Sequence, residues 1–311
     1  MVIRDWSSDV CSSDLIESNW TYYRAGTAYT ISESKSVILP GSPPSAGIYF
    51  IYIDDEIGTL TASTVSWTLQ PPETLVPTAT VLYDSTTTPT YWLADERHTV
   101  MITRRDHLYN HLTVGSRYVS GGIPTGYTVT PSSPTNADNT FGLGQTVIFD
   151  EDIKLTLSAL TDPPGTSDAY VGYYRTTAST WSWKYSFMPY LYTPGSYIQY
   201  DNGGTLTTGS NGRFINSYLL YTNINTIDND DGRYVIIPGR GQFTSLSSAM
   251  AENFATFTWT GFNIQECIIA YQFTWWLSNN FTTNGQCYLV SAPVRINLSV
   301  TSIANGTVIQ T

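Results

Sequence analysis

The chain has 311 residues, of which 13% are charged and 14% are aromatic, and its formal net charge at pH 7 is −11. Many aromatic residues with few charges argue against an intrinsically disordered chain, and the net negative charge argues against binding to nucleic acid or to an anionic membrane. No apolar run approaches the roughly 18 residues that a membrane-spanning helix needs, so no membrane insertion is expected.

The first fifteen residues, MVIRDWSSDVCSSDL, contain two near copies of the tetrapeptide SSDV. The stretch resembles the conceptual translation of a sequencing adapter, a contaminant of metagenomic reading frames, and residues 1–15 are therefore left out of the fold prediction. On this interpretation the native protein extends upstream of Ile16 and Cys11 has no role. The alternative is a short acidic leader.

Residues 16–93 predict an N-terminal β domain. Short alternating or apolar runs are separated by clusters of Pro, Gly and Asp, which form turns. Strands that recur every eight to twelve residues are typical of a β-sandwich. The predicted strands are residues 27–31, 36–39, 47–53, 59–63 and 78–83.

Residues 94–165 are interpreted as a junction that holds all three histidines of the chain, His98, His107 and His111. Two of them, His107 and His111, are four residues apart and would share one face of a helix. Three imidazoles are a workable ligand set for a structural zinc ion. The alternative is that they pack and form hydrogen bonds at the junction.

A short helix over residues 104–112 is expected to carry the second and third histidines, because this run lacks Pro, Gly and β-branched residues. Thr103 can cap it and Gly115 can end it. The residue after His107 is Leu108, so the HExxH pattern of zinc proteases is absent and no catalytic metal site is predicted.

Two further parts of the junction are polar. Residues 121–140 are rich in Gly, Pro, Ser, Thr and Asn, and we interpret them as a surface excursion or as an arm that crosses a neighbouring subunit. The acidic triplet Asp150-Glu151-Asp152, between predicted strands 145–149 and 153–157, is expected to be an exposed turn. Residues 228–231 are a second acidic turn.

Residues 166–311 predict a second β domain. Its predicted strands are residues 170–174, 181–187, 197–200, 219–222 and 233–238, followed by a hairpin of 267–277 and 286–297. Between them, residues 244–257 predict a helix capped by Thr244 or Ser245. Its apolar stripe, expected to be core, is Leu246, Met250, Phe254 and Phe257. Cys267 and Cys287 are expected to be free thiols, although a single bridge between them stays an alternative.

The tryptophans of this second domain are candidate stacking positions for sugars. Aromatic faces offer apolar area without charge. The candidates are Trp181, Trp183, Trp275 and Trp276. Neither a phosphate-binding loop nor a nucleophile elbow is found in the sequence, so no catalytic residues, no cofactor and no enzyme activity are predicted.

Three stretches carry a family resemblance. The first contains Glu96-Arg97-His98, then His107 and His111, then the run GSRYVSG at residues 115–121; the others are GLGQTVIFDEDI at 142–153 and GRYVIIPGRGQFTSLSSAMAENF at 232–254. Together they resemble tail-fibre and other virion structural proteins of tailed bacteriophages. Relatives often have Gly after the Glu-Arg-His triplet, where this chain has Thr99.

The resemblance implies a mainly β protein of the virion, with two β-sandwich-like domains joined by the histidine-containing helical segment. It further implies a homotrimer that contacts other virion proteins and takes part in host-surface recognition. The number of aromatic residues adds host-surface glycans as a candidate ligand class. Three alternatives stay open: a carbohydrate-active depolymerase of a phage tail, a modular glycan-binding β-sandwich protein, and a structural spacer without a ligand. A depolymerase would need facing carboxylates, which only the two acidic turns supply densely.

Overall fold

A computed structural model describes residues 20–25, 27–33, 35–66, 74–86, 91–95, 109–111, 113–151, 153–162, 170–223, 234–262, 264–304 and 307–310. These residues are mainly β-strand, which confirms that the protein is mainly β. Within them, no helix has both the length and the apolar character that crossing a membrane requires.

The chain divides into two compact units whose sequences are interleaved. Unit 1 comprises Met1–Val114, Glu151–Ile153 and Asn223–Asp230, and unit 2 comprises Gly115–Asp150, Lys154–Thr222 and Asp231–Thr311. The predicted junction of residues 94–165 is thus shared between the two units. The predicted boundary at residue 165 falls among residues 163–169, which lie outside the described residues.

Unit 1 is built from short antiparallel strands. These are β1 (Trp20–Arg24), β2 (Thr27–Ile31), β3 (Gly47–Ile53), β4 (Leu60–Ser63), β5 (Val76–Tyr83) and β6 (Tyr91–Asp95). Strands β1 and β2 pair with each other, and the other four form a sheet in the order β4-β3-β5-β6. In β3 the residues Tyr49, Ile51 and Ile53 are buried and alternate with partly exposed ones, as expected where one face of a strand meets a core.

The predicted strand at residues 36–39 is wrong, because these residues form only an isolated bridge at Ile38. Val37 and Leu39 are buried in the core of unit 1, whereas Ile38 is 67% exposed. The alternation in the sequence therefore reflects burial of every second side chain, which does not by itself require a strand partner.

The helical segment of unit 1 agrees with the prediction where it is described. Residues 109–111 and 113 are helical, and the Val114 backbone N–H donates to the Asn110 carbonyl over 2.7 Å. Gly115 follows with a φ of 56°, the left-handed conformation that ends many helices. The predicted cap Thr103 lies outside the described residues.

Unit 2 contains the larger set of strands. They are β7 (Ser116–Gly121), β8 (Pro124–Thr125), β9 (Gly142–Leu143), β10 (Thr146–Asp150), β11 (Ile153–Leu157), β12 (Tyr170–Arg175), β13 (Trp181–Ser186), β14 (Gln199–Asp201), β15 (Leu206–Thr208), β16 (Phe214–Thr222), β17 (Tyr234–Phe243), β18 (Cys267–Leu277), β19 (Cys287–Leu289), β20 (Val294–Ala304) and β21 (Thr307–Gln310). The paired strands β12 and β13 and the start and end of β18 match the predicted elements.

Among the described residues, eight strands of unit 2 form one sheet in the order β13-β12-β17-β16-β18-β20-β21, with β19 also paired to β18. The pairing is antiparallel except between β12 and β17, which are parallel. A smaller sheet has the order β11-β10-β7, and β8 pairs with β9 and β14 with β15. The central strands β16 and β18 are buried over nearly their whole length, which explains their apolar character on both faces.

The predicted helix over residues 244–257 is much shorter than expected. Helix α1 covers Leu246–Met250, and Ser245 caps it by accepting a hydrogen bond from the Ser248 backbone N–H over 3.2 Å. Asn253 then caps a separate 3-10 turn at Phe254–Thr256. Because the chain turns between the two, the predicted stripe is broken: Phe254 and Phe257 are buried, whereas Met250 is 43% exposed.

Residues 121–140 lie on the surface of the single chain, which is compatible with both interpretations. Most of their side chains are exposed, but the backbone is fastened to unit 2. The Thr128 N–H donates to the Asp138 carbonyl and the Thr130 N–H to the Leu289 carbonyl, both over 2.9 Å. At the end of a 3-10 turn (Asn136–Asn139), the buried Asn139 amide donates to the Tyr190 hydroxyl and to the Cys287 carbonyl.

Both described cysteines, Cys267 and Cys287, are free and buried, as predicted. Burial raises the pKa of each thiol, so neither is a thiolate at neutral pH.

Gly121 ends β7 with a φ of +83°, and a Cβ at this position would overlap the backbone carbonyl of Gln145. We expect Gly121→Ala to lower the free energy of unfolding by about 2 kcal/mol or more, because the left-handed conformation and the overlap both oppose a side chain. Urea unfolding followed by fluorescence measures this loss.

The matched control is Gly144→Ala, since no atom lies within 4 Å of a Cβ built there. Equal stability of the two variants would contradict the tight pairing of β7 with β10.

Candidate functional site

The predicted histidine site is described only at His111, because His98 and His107 lie outside the described residues. The His111 Nδ1 atom is 2.9 Å from Glu151 Oε1, and the two side chains are 10% and 3% exposed. A search of the described residues finds no group of three or more His, Cys, Asp or Glu side chains that could hold a metal ion. Of the three histidines, the structure therefore describes only His111, which forms a buried pair with the Glu151 carboxylate within unit 1.

The expectation that Asp150-Glu151-Asp152 is an exposed turn is wrong for its first two residues. Asp150 is 4% and Glu151 5% exposed. Asp150 accepts a hydrogen bond from the Ser116 hydroxyl over 3.0 Å, and Glu151 contacts His111. Carboxylates can be buried in this way because neighbouring donors replace the lost water. Asp152 and the second acidic turn, 228–231, lie outside the described residues.

The tryptophans predicted to stack on sugars are mostly inaccessible, and that expectation is corrected. Trp183 and Trp275 are fully buried, and Trp181 is 5% exposed. Trp181 stacks on Trp259, with ring centroids 5.7 Å apart and an interplanar angle of 11°. Trp276 is half-buried and packs against Phe214 at 4.6 Å. Strands β13 and β18 turn these rings inward, so aromatic composition did not indicate exposure.

A buried ion cluster occupies the region around Trp181. Asp201, at the end of β14, accepts from Arg175 Nε at 2.6 Å and Nη2 at 3.1 Å. Its Oδ2 atom is also 2.8 Å from Arg240 Nη1. The Gly204 N–H donates to the other oxygen, Oδ1, over 2.7 Å. One carboxylate therefore bridges two guanidinium groups and a turn.

Aromatic rings surround the second of these arginines, Arg240. Its guanidinium carbon lies 4.8 Å from the centroid of the Phe257 ring, 5.6 Å from that of Trp259 and 5.8 Å from that of Trp181. Burial lowers the pKa of Arg240 to about 10, an effect that the charge of Asp201 opposes. The arginine therefore stays protonated at neutral pH and attracts the electron-rich faces of the rings.

Glu252 connects the same region to the sheet. Its Oε1 accepts from the Arg240 backbone N–H at 2.7 Å, and its Oε2 accepts from the Tyr218 hydroxyl at 2.7 Å and from Asn216 Nδ2 at 2.8 Å. Burial raises the pKa of this carboxyl group, whereas the hydrogen bonds oppose the rise. Glu252 thus fastens the segment after α1 to β16 and β17.

A second cluster, the tyrosine patch, is more accessible to solvent than the ion cluster. It consists of Tyr118, Tyr127, Tyr271 and Arg295. Tyr118 and Tyr127 are half-buried and Arg295 is exposed. Tyr271 on β18 and Arg295 on β20 are directly paired across the two strands, so their side chains share one face of the sheet. Tyr271 itself is only 7% exposed, so the accessible part of the patch is Tyr118, Tyr127 and Arg295.

Hydrogen bonds and ring contacts fix the position of the Tyr118 side chain. The Tyr118 hydroxyl donates to the Gly121 carbonyl over 3.0 Å. The buried Tyr221, whose ring centroid is 6.2 Å from that of Tyr118, donates to the Gly122 carbonyl over 2.6 Å. The Arg295 guanidinium carbon lies 4.5 Å from the Tyr118 ring centroid. Tyr118 is thus held by its hydroxyl, by a ring beside it and by a stacked cation.

Burial raises the pKa of Tyr271, the charge of Arg295 opposes this rise, and the hydroxyls of Tyr118 and Tyr127 add to it. The Tyr271 hydroxyl is therefore protonated at neutral pH and can both donate and accept hydrogen bonds.

Exposed aliphatic side chains adjoin the patch in sequence. Val119 follows Tyr118 and is 48% exposed, Val129 lies two residues after Tyr127 and is 36% exposed, and Val294 precedes Arg295 and is 40% exposed. Adjacency in sequence does not place these side chains on the patch, because successive residues of a strand point to opposite faces and Val294, paired with Gln272, lies on the other face from Arg295.

Sequence reasoning missed the tyrosine patch because its members come from strands β7, β18 and β20 and from the excursion at residues 121–140. The sequence did predict a hairpin of residues 267–277 and 286–297, which brings Tyr271 close to the strand that contains Arg295. The register of that hairpin includes an irregularity between Ile269 and Tyr271, and spacing alone does not reveal it.

No protein family, no curated protein and no solved structure matches the chain. The geometry of the described residues and the resemblance to phage virion proteins therefore form the basis for a proposed function.

We expect Asp201→Ala to lower the free energy of unfolding by roughly 3–5 kcal/mol, because it leaves two buried guanidinium groups without their shared carboxylate. Chemical unfolding monitored by tryptophan fluorescence measures the change, since Trp181 and Trp259 lie beside Arg240.

Lys154→Gln is the control, because it removes an exposed charge of unit 2 and should change stability by less than about 0.5 kcal/mol. Similar losses in both variants would show that the ion cluster has no special role.

Proposed function

We propose that the chain is a structural protein of a tailed-bacteriophage virion, of tail-fibre type, and that unit 2 binds host-surface glycans through the tyrosine patch. The observation that carries the proposal is the patch itself: two half-buried phenol rings, Tyr118 and Tyr127, and the exposed Arg295 above the buried Tyr271. Sugars present apolar C–H faces that pack on aromatic rings and hydroxyls that bond to polar side chains.

The proposed work is mechanical and adhesive, and does not involve catalysis. A fibre protein must keep its binding surface in shape under load, and the buried cross-links of unit 2 support that use. Asp201 joins Arg175 to Arg240, and Glu252 joins the segment after α1 to the sheet, so charged hydrogen bonds connect parts of unit 2 that are distant in sequence.

Two β-sandwich-like domains and a homotrimer complete the proposal. Other virion proteins would then be the neighbours of the trimer. The mainly β composition of both units supports this architecture, in which strands stack over a shared core. In unit 1 the exposed aliphatic residues Ile38, Ile57 and Val65 offer apolar area that a subunit contact could cover.

The depolymerase alternative receives less support from the described carboxylates. Asp150 and Glu151 are buried and engaged by Ser116 and His111, which leaves them poorly placed to flank a glycosidic bond. Release of reducing ends from capsular or cell-wall glycans would favour this alternative over adhesion.

The binding proposal is tested on an array of bacterial capsular and O-antigen polysaccharides. We expect the intact chain to bind a subset of them and Tyr127→Ala to weaken that binding about two- to ten-fold, because one aromatic contact contributes roughly 0.5–1.5 kcal/mol. Tyr271→Phe keeps the ring and should lose only the contribution of the hydroxyl.

Tyr185→Ala is the matched control. Tyr185 is 40% exposed and lies on β13, at one edge of the large sheet, whereas β20 lies near the other edge. If Tyr185→Ala and Tyr127→Ala weakened polysaccharide binding equally, the patch would not be the binding site. If no polysaccharide on the array were bound, a structural spacer would be favoured.

The oligomeric part is tested by light scattering on a sizing column. We expect a mass three times that of the 34.5 kDa chain, with metal content measured on the same peak to test the histidine set. A mass equal to that of one chain would contradict the homotrimer.

A further inference from the structure

We propose that unit 2 carries a second ligand surface, the aromatic row, which binds an extended and neutral polysaccharide chain. The row consists of Phe243, Phe214, Trp276 and Tyr288, one aromatic side chain on each of the neighbouring strands β17, β16, β18 and β19. This surface is separate from the tyrosine patch, so its ligand goes beyond the function proposed above.

The register of the large sheet places the four side chains in line. Phe214 is directly paired with Phe243 on one side and with Trp276 on the other, and Trp276 is directly paired with Tyr288. Residues directly opposite each other in antiparallel strands point to the same face of the sheet, with Cβ atoms about 5 Å apart. The row therefore crosses four strands on one face.

The aromatic row lies on the opposite face of β18 from the tyrosine patch. Trp276 and Tyr271 are five residues apart, and the pairing of β18 with β16 is regular between them. Because successive side chains of a strand alternate between its two faces, an odd separation places these two on opposite faces. The two surfaces can therefore be altered independently.

The four rings of the row are partly accessible to solvent. Each is half-buried, whereas the next pair on the same face of β16 and β18, Asn216 and Thr274, is buried. Asn216 lies under α1 and donates from its Nδ2 to the Ala249 carbonyl over 2.7 Å. The helix thus covers the middle of this face, and the row forms its more exposed end.

Ring contacts hold three members of the row in place. The rings of Trp276 and Phe214 pack together with centroids 4.6 Å apart, and Tyr288 packs against Phe281 at 5.1 Å. Side chains that are already fixed lose less conformational freedom when a ligand binds. The surface is therefore partly organised before binding.

The loops beside the row are polar and carry little charge. Residues 209–213 and 278–286 precede or follow strands of the row and are rich in Asn, Ser and Thr, with Arg213 as their one charged residue. The Asn279 N–H donates to Asn211 Oδ1 over 2.9 Å and so connects the two loops. Amides and hydroxyls suit the hydroxyl groups of a neutral sugar, and the net charge of −11 disfavours an acidic chain.

A row of this shape fits a chain of sugars better than it fits a single sugar. A sugar with equatorial substituents presents its axial C–H bonds at both faces, and such apolar faces pack on aromatic rings. In cellulose these sugars follow one another as an extended ribbon, at about the spacing of the Cβ atoms in the row. Successive sugars of one chain would thus reach successive members of the row.

The test measures binding of the full chain to cellulose-derived oligosaccharides, from the disaccharide to the hexasaccharide, by isothermal titration calorimetry. We expect the affinity to rise about two- to ten-fold with each added sugar up to the tetrasaccharide and then to level off, because four rings are available. Phe243→Leu and Tyr288→Leu each keep an apolar side chain but remove one end of the row. In both variants the affinity should level off at the trisaccharide.

Phe187→Leu is the matched control. Phe187 is 51% exposed and follows β13 at the far edge of the large sheet, so this variant should keep the dependence on chain length. Tyr288→Phe retains the ring and should keep that dependence as well. Urea unfolding of every variant separates a lost contact from a lost fold.

The outcomes separate the aromatic row from the tyrosine patch. Affinity that is independent of chain length, or absence of binding to every oligosaccharide, overturns the row and leaves the array result for the tyrosine patch as it stands. Binding that falls with Tyr127→Ala but not with Phe243→Leu or Tyr288→Leu assigns the oligosaccharide to the tyrosine patch and also overturns the row. Loss of oligomer mass in Tyr288→Leu would assign the row to a contact between copies of the chain.

Discussion

The carboxylate of Asp201 is the interaction on which much of unit 2 depends. It accepts from Arg175 on β12, from Arg240 on β17 and from the backbone of its own turn, and so it joins three parts of the chain that are distant in sequence. Burying these charges is costly, and the cost is offset only because each has a partner of opposite sign or an aromatic face. The rings of Trp181, Trp259 and Phe257 are consequently packed around a cation as well as around each other.

The tyrosine patch depends on a different constraint, the backbone path at the end of β7. Gly121 and Gly122 both have positive φ values, and their carbonyls accept the hydroxyls of Tyr118 and Tyr221. A residue with a Cβ would not adopt this path without strain. The surface that we propose for ligand binding is therefore shaped by two residues that have no side chain.

Local patterns predicted the strands well, because a strand buried on one or both faces leaves a period or an apolar run in the sequence. Strand β18 and the pair β12 and β13 show this. The burial of individual aromatic residues was not predictable in the same way. Trp183 and Tyr185 are two residues apart on β13 and so share one face of the strand, yet Trp183 is fully buried and Tyr185 is 40% exposed. Trp259 and Phe262 lie against Trp181, at the start of the same strand. Tertiary contacts of this kind, like the assembly of the tyrosine patch from distant strands, have no local signature.

The interleaving of the two units has a consequence for how the protein is made. Unit 1 includes Glu151–Ile153, and its buried His111 is paired with Glu151, so one of its internal contacts is supplied after the first strands of unit 2 have been translated. Domains that are continuous in sequence can fold one after another as they leave the ribosome. Here the buried His111–Glu151 pair of the amino-terminal unit can form only after residue 151 has been translated.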